Sequence, residues 1–385
     1  MSTKEKKQEL ESDEIDLEKL EIKRSYQKSI NEYKEKLSLK LKRFINNSLP
    51  KSKDNFKFWL KSFRGKLILL TIILVSIIPI FMNRTLYYRI FMLAMIYAIY
   101  AASWDLISGV TGQLSFGHAA FLGIGGYATA FFVKYLQVNW FIALIIGSFF
   151  GVFFGLFIAI PCLRLKGPYL ALGTLVFSLL LYQLFSMSTL AFIFFGEEGI
   201  STIMNFLYIN TRIRFIIVLI VMIVSVTIML AISNSKLGTI FKAIRDDEKA
   251  TEASGINIVK YKIYAFMIST FFAGIAGGLY VLDQTKVDPA IFGTLYSFYP
   301  VVMSCVGGIA LISGSTFGAY FFIISIQIIE EIASAILPGQ SEILANLPFL
   351  IFSIILLIVV RFTERGLMEP MIENTKSMYE LLMGK

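Results

Sequence analysis

The chain has 385 residues, 56% of them hydrophobic and only 16% charged, with a mean hydropathy of +0.70; a soluble domain neither needs nor tolerates such a composition. Its formal charge of +9 would point a soluble protein toward nucleic acid. Here the basic residues gather at the ends of apolar runs and in the first 66 positions, so membrane lipid with anionic headgroups is the expected partner and nucleic acid is not.

In chain order, residues 1–66 form a basic extension with an apolar stripe at Ile15, Ile22, Tyr26, Ile30, Tyr33, Leu37, Leu41 and Phe44, spaced for one face of a helix. This predicts an amphipathic helix on the membrane or on a partner, with a dedicated binding module as the alternative. Between Lys40 and Lys66 nine Lys or Arg face one acid, Asp54, a bias that favours the cytoplasmic leaflet. The first apolar run starts only near Leu67, after this long charged segment, which does not fit a cleavable signal peptide.

A spanning helix needs about 20 mostly apolar residues. Ten runs qualify, near 67–82, 89–108, 117–133, 142–160, 168–187, 213–233, 263–282, 298–313, 317–336 and 345–361. With the N-terminus inside, one set of connections carries Arg164, Lys166, Lys236, Lys242, Arg245, Lys249, Lys260, Lys262, Arg361 and Arg365. The other carries Arg84, Arg89, Lys134, Arg212, Arg214 and Lys286. The asymmetry predicts a multi-pass protein of the cell (inner or plasma) membrane with both termini cytoplasmic. The expected fold is an all-α polytopic helix bundle, with a membrane domain over 67–367 and a cytoplasmic tail over 368–385.

Two runs are short and Gly-rich, Gly117–Val133 and Phe298–Ser313. Glycine there permits either close helix packing or interrupted helices that line a translocation route. Their placement in the two halves hints at an internal repeat, without residue-level self-similarity.

Chemistry is sparse. No GxxxxGK[ST] phosphate loop occurs, so any ATP dependence must come from another subunit. The single histidine, His118, has no HExxH context and no second His, and Cys162 and Cys305 lie far apart, so neither a metal nor another cofactor is implied. Asp105 falls near a predicted cytoplasmic helix end, where its carboxylate is expected to reach water, with a role in the pathway as the alternative. Gln113, Ser115 and His118 form a polar group inside a Gly-rich membrane segment and are candidate pathway contacts, because such groups need hydrogen-bond partners.

The longest internal cytoplasmic connection, Ser233–Lys262, is the most informative. Leu237, Ile240, Phe241 and Ile244 make an amphipathic turn, a charged patch follows from Arg245 to Lys249, and Gly255 is placed to end a helix in the left-handed conformation. A projecting helix-turn-helix of this kind suits docking in a groove of a soluble partner, its apolar side giving affinity. A solvated linker is the alternative.

The stretch AIRDDEKATEASGINIVKYKIYAFMISTFFAGIAGGLY resembles the coupling loop and following helix of LivM-type branched-chain amino-acid permeases of ATP-binding-cassette importers. Ser108–Ala130, Leu163–Phe177, Val287–Ala310 and Arg361–Leu367 resemble the same family in the same order, so that the likeness covers roughly 85–367. The chain departs from the family at Ser313-Gly314-Ser315, where a Gly-Pro usually precedes the position of Gly318. The resemblance implies a non-catalytic permease subunit that pairs with a second related permease, two cytoplasmic ATP-binding subunits and an extracytoplasmic solute-binding protein. It also implies that Phe241, Arg245, Asp246, Glu248, Glu252 and Gly255 belong to the ATPase-coupling loop. Branched-chain amino acids are the expected solute, with urea or another small polar solute as the alternative; a secondary transporter and an intramembrane enzyme are the rivals from other classes.

Overall fold

A computed structural model describes residues 85–162, 165, 167–201, 206 and 209–336, with the single positions 79, 350, 353, 354, 357 and 361. The chain divides into two units, 1–55 and 56–385. The first unit lies outside the described residues. So do the predicted amphipathic stripe, most of the expected spans at 67–82 and 345–361, and the tail at 368–385.

The described part is a helix bundle. Helix α1 (Thr85–Asp105) continues as a π-helical turn, Leu106–Val110; then come α2 (His118–Tyr135), α3 (Trp140–Cys162), α4 (Pro168–Ser186) and the short α5 (Ala191–Phe194). Strand β1 (Ile200–Ser201) precedes α6 (Thr211–Ser233), α7 (Lys236–Asp246), α8 (Glu248–Ala253) and α9 (Ile258–Gln284). Strand β2 (Lys286–Val287), α10 (Thr294–Gly307) and α11 (Ile312–Ile336) complete it. Among the described residues six segments are long and apolar enough to cross a membrane: Thr85–Val110, Trp140–Cys162, Pro168–Ser186, Thr211–Ser233, Ile258–Gln284 and Ile312–Ala333. With the shorter α2 and α10, they match the eight runs expected between 89 and 336.

Apolar residues in this chain do two jobs. Helix α1 is the axis: 89% of its most apolar window is buried, and it packs on α6, α9, α10 and α11. The corresponding share is 28% in α4 and 39% in α3 and α6, whose outer faces carry Phe149, Phe153 and Phe157, Leu172, Val176 and Leu180, and Ile213, Ile216, Ile220, Val224 and Ile228. These recur at three to four residues, so each helix shows one apolar face to its neighbours and another outward. Such an outward face is stable only against lipid or another membrane subunit.

Glycine sets the closest helix approaches. A Cβ on Gly277 of α9 would fall on the Leu122 carbonyl of α2, and one on Gly125 would strike the backbone of Gly274. Helix α2 runs without interruption from His118 to Tyr135, so its glycines serve packing, and the expected break lies before it, at 111–117. In the second Gly-rich run the break is internal: α10 stops at Gly307, Gly308 has φ +119°, Ala310 has φ +65°, and α11 starts at Ile312.

Alternate connections lie at opposite ends of the bundle. At one end β1 pairs antiparallel with β2, Ile200 opposite Val287. At the other, α7 packs on the π-helical turn of α1 and on the adjoining ends of α6 and α9.

Candidate functional site

The site is built at the end of the bundle where α1, α7, α8 and α9 meet. Helix α7 starts on Ser235, whose side chain accepts from the N–H groups of Leu237 and Gly238, and α8 starts on Asp247, which accepts from Ala250. These caps satisfy backbone donors that no helical turn can pair. Gly255 closes α8 at φ +82° with open space around its Cβ position. The left-handed conformation, not crowding, selects glycine there, as the sequence predicts.

The apolar side of α7 differs from expectation. Phe241 is fully buried and Ile244 nearly so, so these two are spent on the chain's own bundle, while Leu237 and Ile240 are half-buried. The side left exposed is polar: Arg245, Asp246, Asp247, Lys249 and Glu252. Lys242 sits half-buried behind it, its ammonium held below the usual lysine range by desolvation and by neighbouring Arg245.

Two polar ties join this outer element to the bundle. The Glu248 carboxylate accepts from Lys262 Nζ at 2.6 Å and, through the same Oε1, from Gln113 Nε2 at 3.2 Å. Lys262 is 6% exposed and Glu248 38%, so the pair is shielded on the lysine side only. Arg245 donates from Nη1 to the Gly109 carbonyl at 3.4 Å and lies over Gly112, which has φ +74° and no room for a side chain.

The segment 111–117 that receives these ties is irregular; its residues Thr111, Gln113, Ser115 and Gly117 are buried, and its polar groups are paired except the Ser115 hydroxyl. Gln113 N–H donates to Ile107 O at 3.0 Å, Thr111 Oγ1 to Leu106 O at 3.0 Å, and Trp104 Nε1 to Ser115 O at 2.6 Å. Ser108 Oγ donates to Gln113 O and accepts from Ser115 N–H, both at 3.2 Å, and Phe116 N–H donates to Thr174 Oγ1 at 3.1 Å. Non-helical backbone persists at membrane depth only with such pairing.

Gln113, Ser115 and His118 are thus all buried, but they point to different partners. Gln113 reaches the α7–α8 element, whereas His118 stacks on Tyr100 at 5.3 Å between ring centroids and meets Ser103 Oγ at 2.9 Å through Nε2. Ser103 spends its one proton on Tyr100 O, at 2.7 Å, so His118 Nε2 carries the hydrogen in that contact. The Ser115 hydroxyl has no hydrogen-bond partner, nor does His118 Nδ1.

Asp105 corrects a second expectation. It is fully buried and accepts from the Ala310 N–H at 2.7 Å; in place of reaching water, it holds the backbone of the α10–α11 break from 205 residues away. A Cβ on Gly109 would strike both Asp105 Oδ1 and Ala310 N. The π-helical turn therefore carries Arg245 on one side and the α10–α11 break on the other.

This architecture, lipid-facing spans around a buried axis with a polar helical element tied to it, coincides with a family-level match. Residues 86–361 fit the model of the branched-chain amino acid transport system permease component. The chain belongs to that family. Among its relatives, the high-affinity branched-chain amino acid transport system permease protein LivM of Salmonella typhimurium is 26% identical over 300 residues, 70% of this chain and 69% of that protein. LivM of Escherichia coli K12 is 26% identical over 267 residues, covering 62% of each chain. The probable LivH permease of Methanocaldococcus jannaschii is 30% identical over 156 residues, 40% of this chain and 45% of that protein. The chain spans about two thirds of the length of the LivM relatives. No solved structure matches it. In this multi-pass membrane permease His118 and Asp105 are both buried and hydrogen-bonded within the bundle, and among the described residues no group of His, Cys, Asp and Glu could hold a metal ion.

Sequence reasoning missed Trp104, Ser103 and Lys262 as partners. Lys262 carried a legible signal, since a lysine inside the first turns of a span must find a carboxylate or snorkel to water.

Proposed function

We propose that this permease is the non-catalytic membrane subunit of an ATP-driven importer for branched-chain amino acids, with ATP hydrolysed by two separate cytoplasmic subunits. A second, related permease completes the pathway and an extracytoplasmic binding protein delivers the solute. The α7–α8 element faces the cytoplasm, in the inner membrane topology favoured by the basic residues Lys236, Lys242, Arg245, Lys249, Lys260 and Lys262 around it.

The observation that carries this reading is the double tie of the α7–α8 element to the axis helix, through Glu248 to Gln113 and Lys262 and through Arg245 to Gly109. A partner that grips the exposed Asp246, Lys249 and Glu252 and then moves would pull on the π-helical turn and the α10–α11 break, not on a loose linker. A ligand-driven switch needs such a differential contact with two states of a packed bundle. Affinity for the ATPase comes mainly from charge and backbone contact, because Phe241 and Ile244 of α7 are already buried in the bundle.

The test is uptake of labelled leucine, isoleucine, valine and urea in cells with and without the gene. ATP-dependent uptake of the branched-chain amino acids that disappears with the gene supports the assignment. Loss of urea uptake alone, or uptake that persists after ATP depletion and follows an ion gradient, would replace it.

A further inference from the structure

A cavity of about 330 Å³ lies between α2, α3, α4 and α5, away from the coupling element, with Ile124, Tyr127, Phe131, Phe150, Leu181 and Phe195 among its lining residues. Tyr127 is the one lining side chain with a polar atom. Its ring is fixed by Phe185, edge-on at 4.7 Å, and by Phe292, stacked at 5.6 Å. Its hydroxyl is buried without a hydrogen-bond partner. A zwitterionic amino acid has no place here, since both its charges would lose water and gain nothing.

Depth and charge identify a better occupant. Phe131 and Phe150 are each 40% exposed, beside the outward Phe149 and Phe153 of α3, so the cavity opens on the lipid-facing side. Lys134 and Tyr135 end α2 and Trp140 starts α3, a basic and aromatic set that marks a headgroup level. From Lys134 down to Ile124 is ten residues of helix, about 15 Å, which is half of a hydrocarbon core of about 30 Å. The cavity therefore runs through one leaflet, the one remote from α7 and α8. At its mouth the Lys134 ammonium lies 5.2 Å from the Tyr135 ring centre, and Tyr135 stacks on Phe195 of the lining.

We infer that this cavity holds one acyl chain of a resident phospholipid whose anionic headgroup is paired by Lys134. The inference rests on membrane residence and not on the transport reading, so either can fail alone.

The full-length protein, purified in mild detergent, is offered phosphatidylglycerol or phosphatidylcholine and the retained lipid is read by native mass spectrometry. One phosphatidylglycerol is expected to be retained. Ala128→Trp, which fills the cavity, should cut retention roughly tenfold, since each displaced methylene is worth about fourfold. Lys134→Gln should lower the preference for phosphatidylglycerol by roughly fivefold, the worth of one basic residue near an anionic headgroup. Because Ala128→Trp could fail to fold, a phospholipid with a diazirine in its acyl chain is also photolysed with the wild-type protein, and labelling is expected within residues 124–132. No retained lipid, equal retention by Ala128→Trp that folds, an unchanged headgroup preference in Lys134→Gln, or labelling only elsewhere would each overturn the inference.

Discussion

Glu248 and Lys262 are joined at 2.6 Å across the junction of the outer helical element with a membrane helix, and the same carboxylate oxygen holds Gln113 of the irregular segment between α1 and α2. One acidic side chain thus ties together three parts of the chain that would otherwise shift independently. A rigid element moved by a partner transmits displacement only through contacts of this kind.

Removing Glu248 strands a lysine that is 6% exposed. A double-mutant cycle with Glu248→Ala and Lys262→Ala, followed by thermal unfolding in lipid nanodiscs, should give a coupling energy of about 1 kcal/mol, kept modest because the carboxylate is 38% exposed and screened. Additive effects of the two substitutions would show that the pair contributes nothing.

Asp105 acts by accepting a hydrogen bond. Asp105→Asn retains an oxygen for the Ala310 N–H, whereas Asp105→Ala leaves that donor buried and unpaired at a cost of about 1–3 kcal/mol. The alanine variant should unfold at a lower temperature than the asparagine variant. Equal loss in both would make the charge, and not the hydrogen bond from the Ala310 N–H, the stabilising feature.

Two glycines should respond differently to the same change. Gly277→Ala drives a methyl into the Leu122 carbonyl at the α2–α9 crossing and should cost about 1–3 kcal/mol by overpacking. Gly255→Ala meets open space, and only its φ of +82° opposes the methyl, at about 1–2 kcal/mol. Yield and unfolding of Gly277→Ala should suffer across the bundle. Gly255→Ala should keep a normal membrane level and impair only steps that need α8 in place.

Residues 1–40 precede the family match, which begins at residue 86. Their deletion should leave uptake largely active. Complete loss of uptake at a normal membrane level would give the extension a part in transport.

The bundle was legible where composition decides structure. Twenty apolar residues in a row have few stable forms in lipid, and the runs near 89–108, 142–160, 168–187, 213–233 and 263–282 are all helices. The amphipathic spacing of Leu237, Phe241 and Ile244 was equally readable, but periodicity says that a face is apolar and not what covers it. In the fold that face turns onto the bundle itself. Asp105 was misread for a related reason: its burial comes from the Gly308–Leu311 break, which lies two hundred residues later and leaves no trace near position 105. The π-helical turn at Leu106–Val110 likewise lies against Ala310 and Arg245, which no local window contains. Glycine reported a close approach at Gly117 and Gly125 without naming the partners, the Thr174 and Gly274 backbones.

In the proposed importer the polar face of α7–α8 docks the energy-supplying subunit. Lys249→Glu combined with Glu252→Lys inverts two exposed charges that lie away from the Glu248–Lys262 and Arg245–Gly109 ties. Affinity purification of the tagged permease with its ATPase measures the docking directly. The variant should insert and fold as the wild type does, yet bring down little or no ATPase and lose uptake. Recovery of a normal amount of ATPase with the folded variant would contradict the claim.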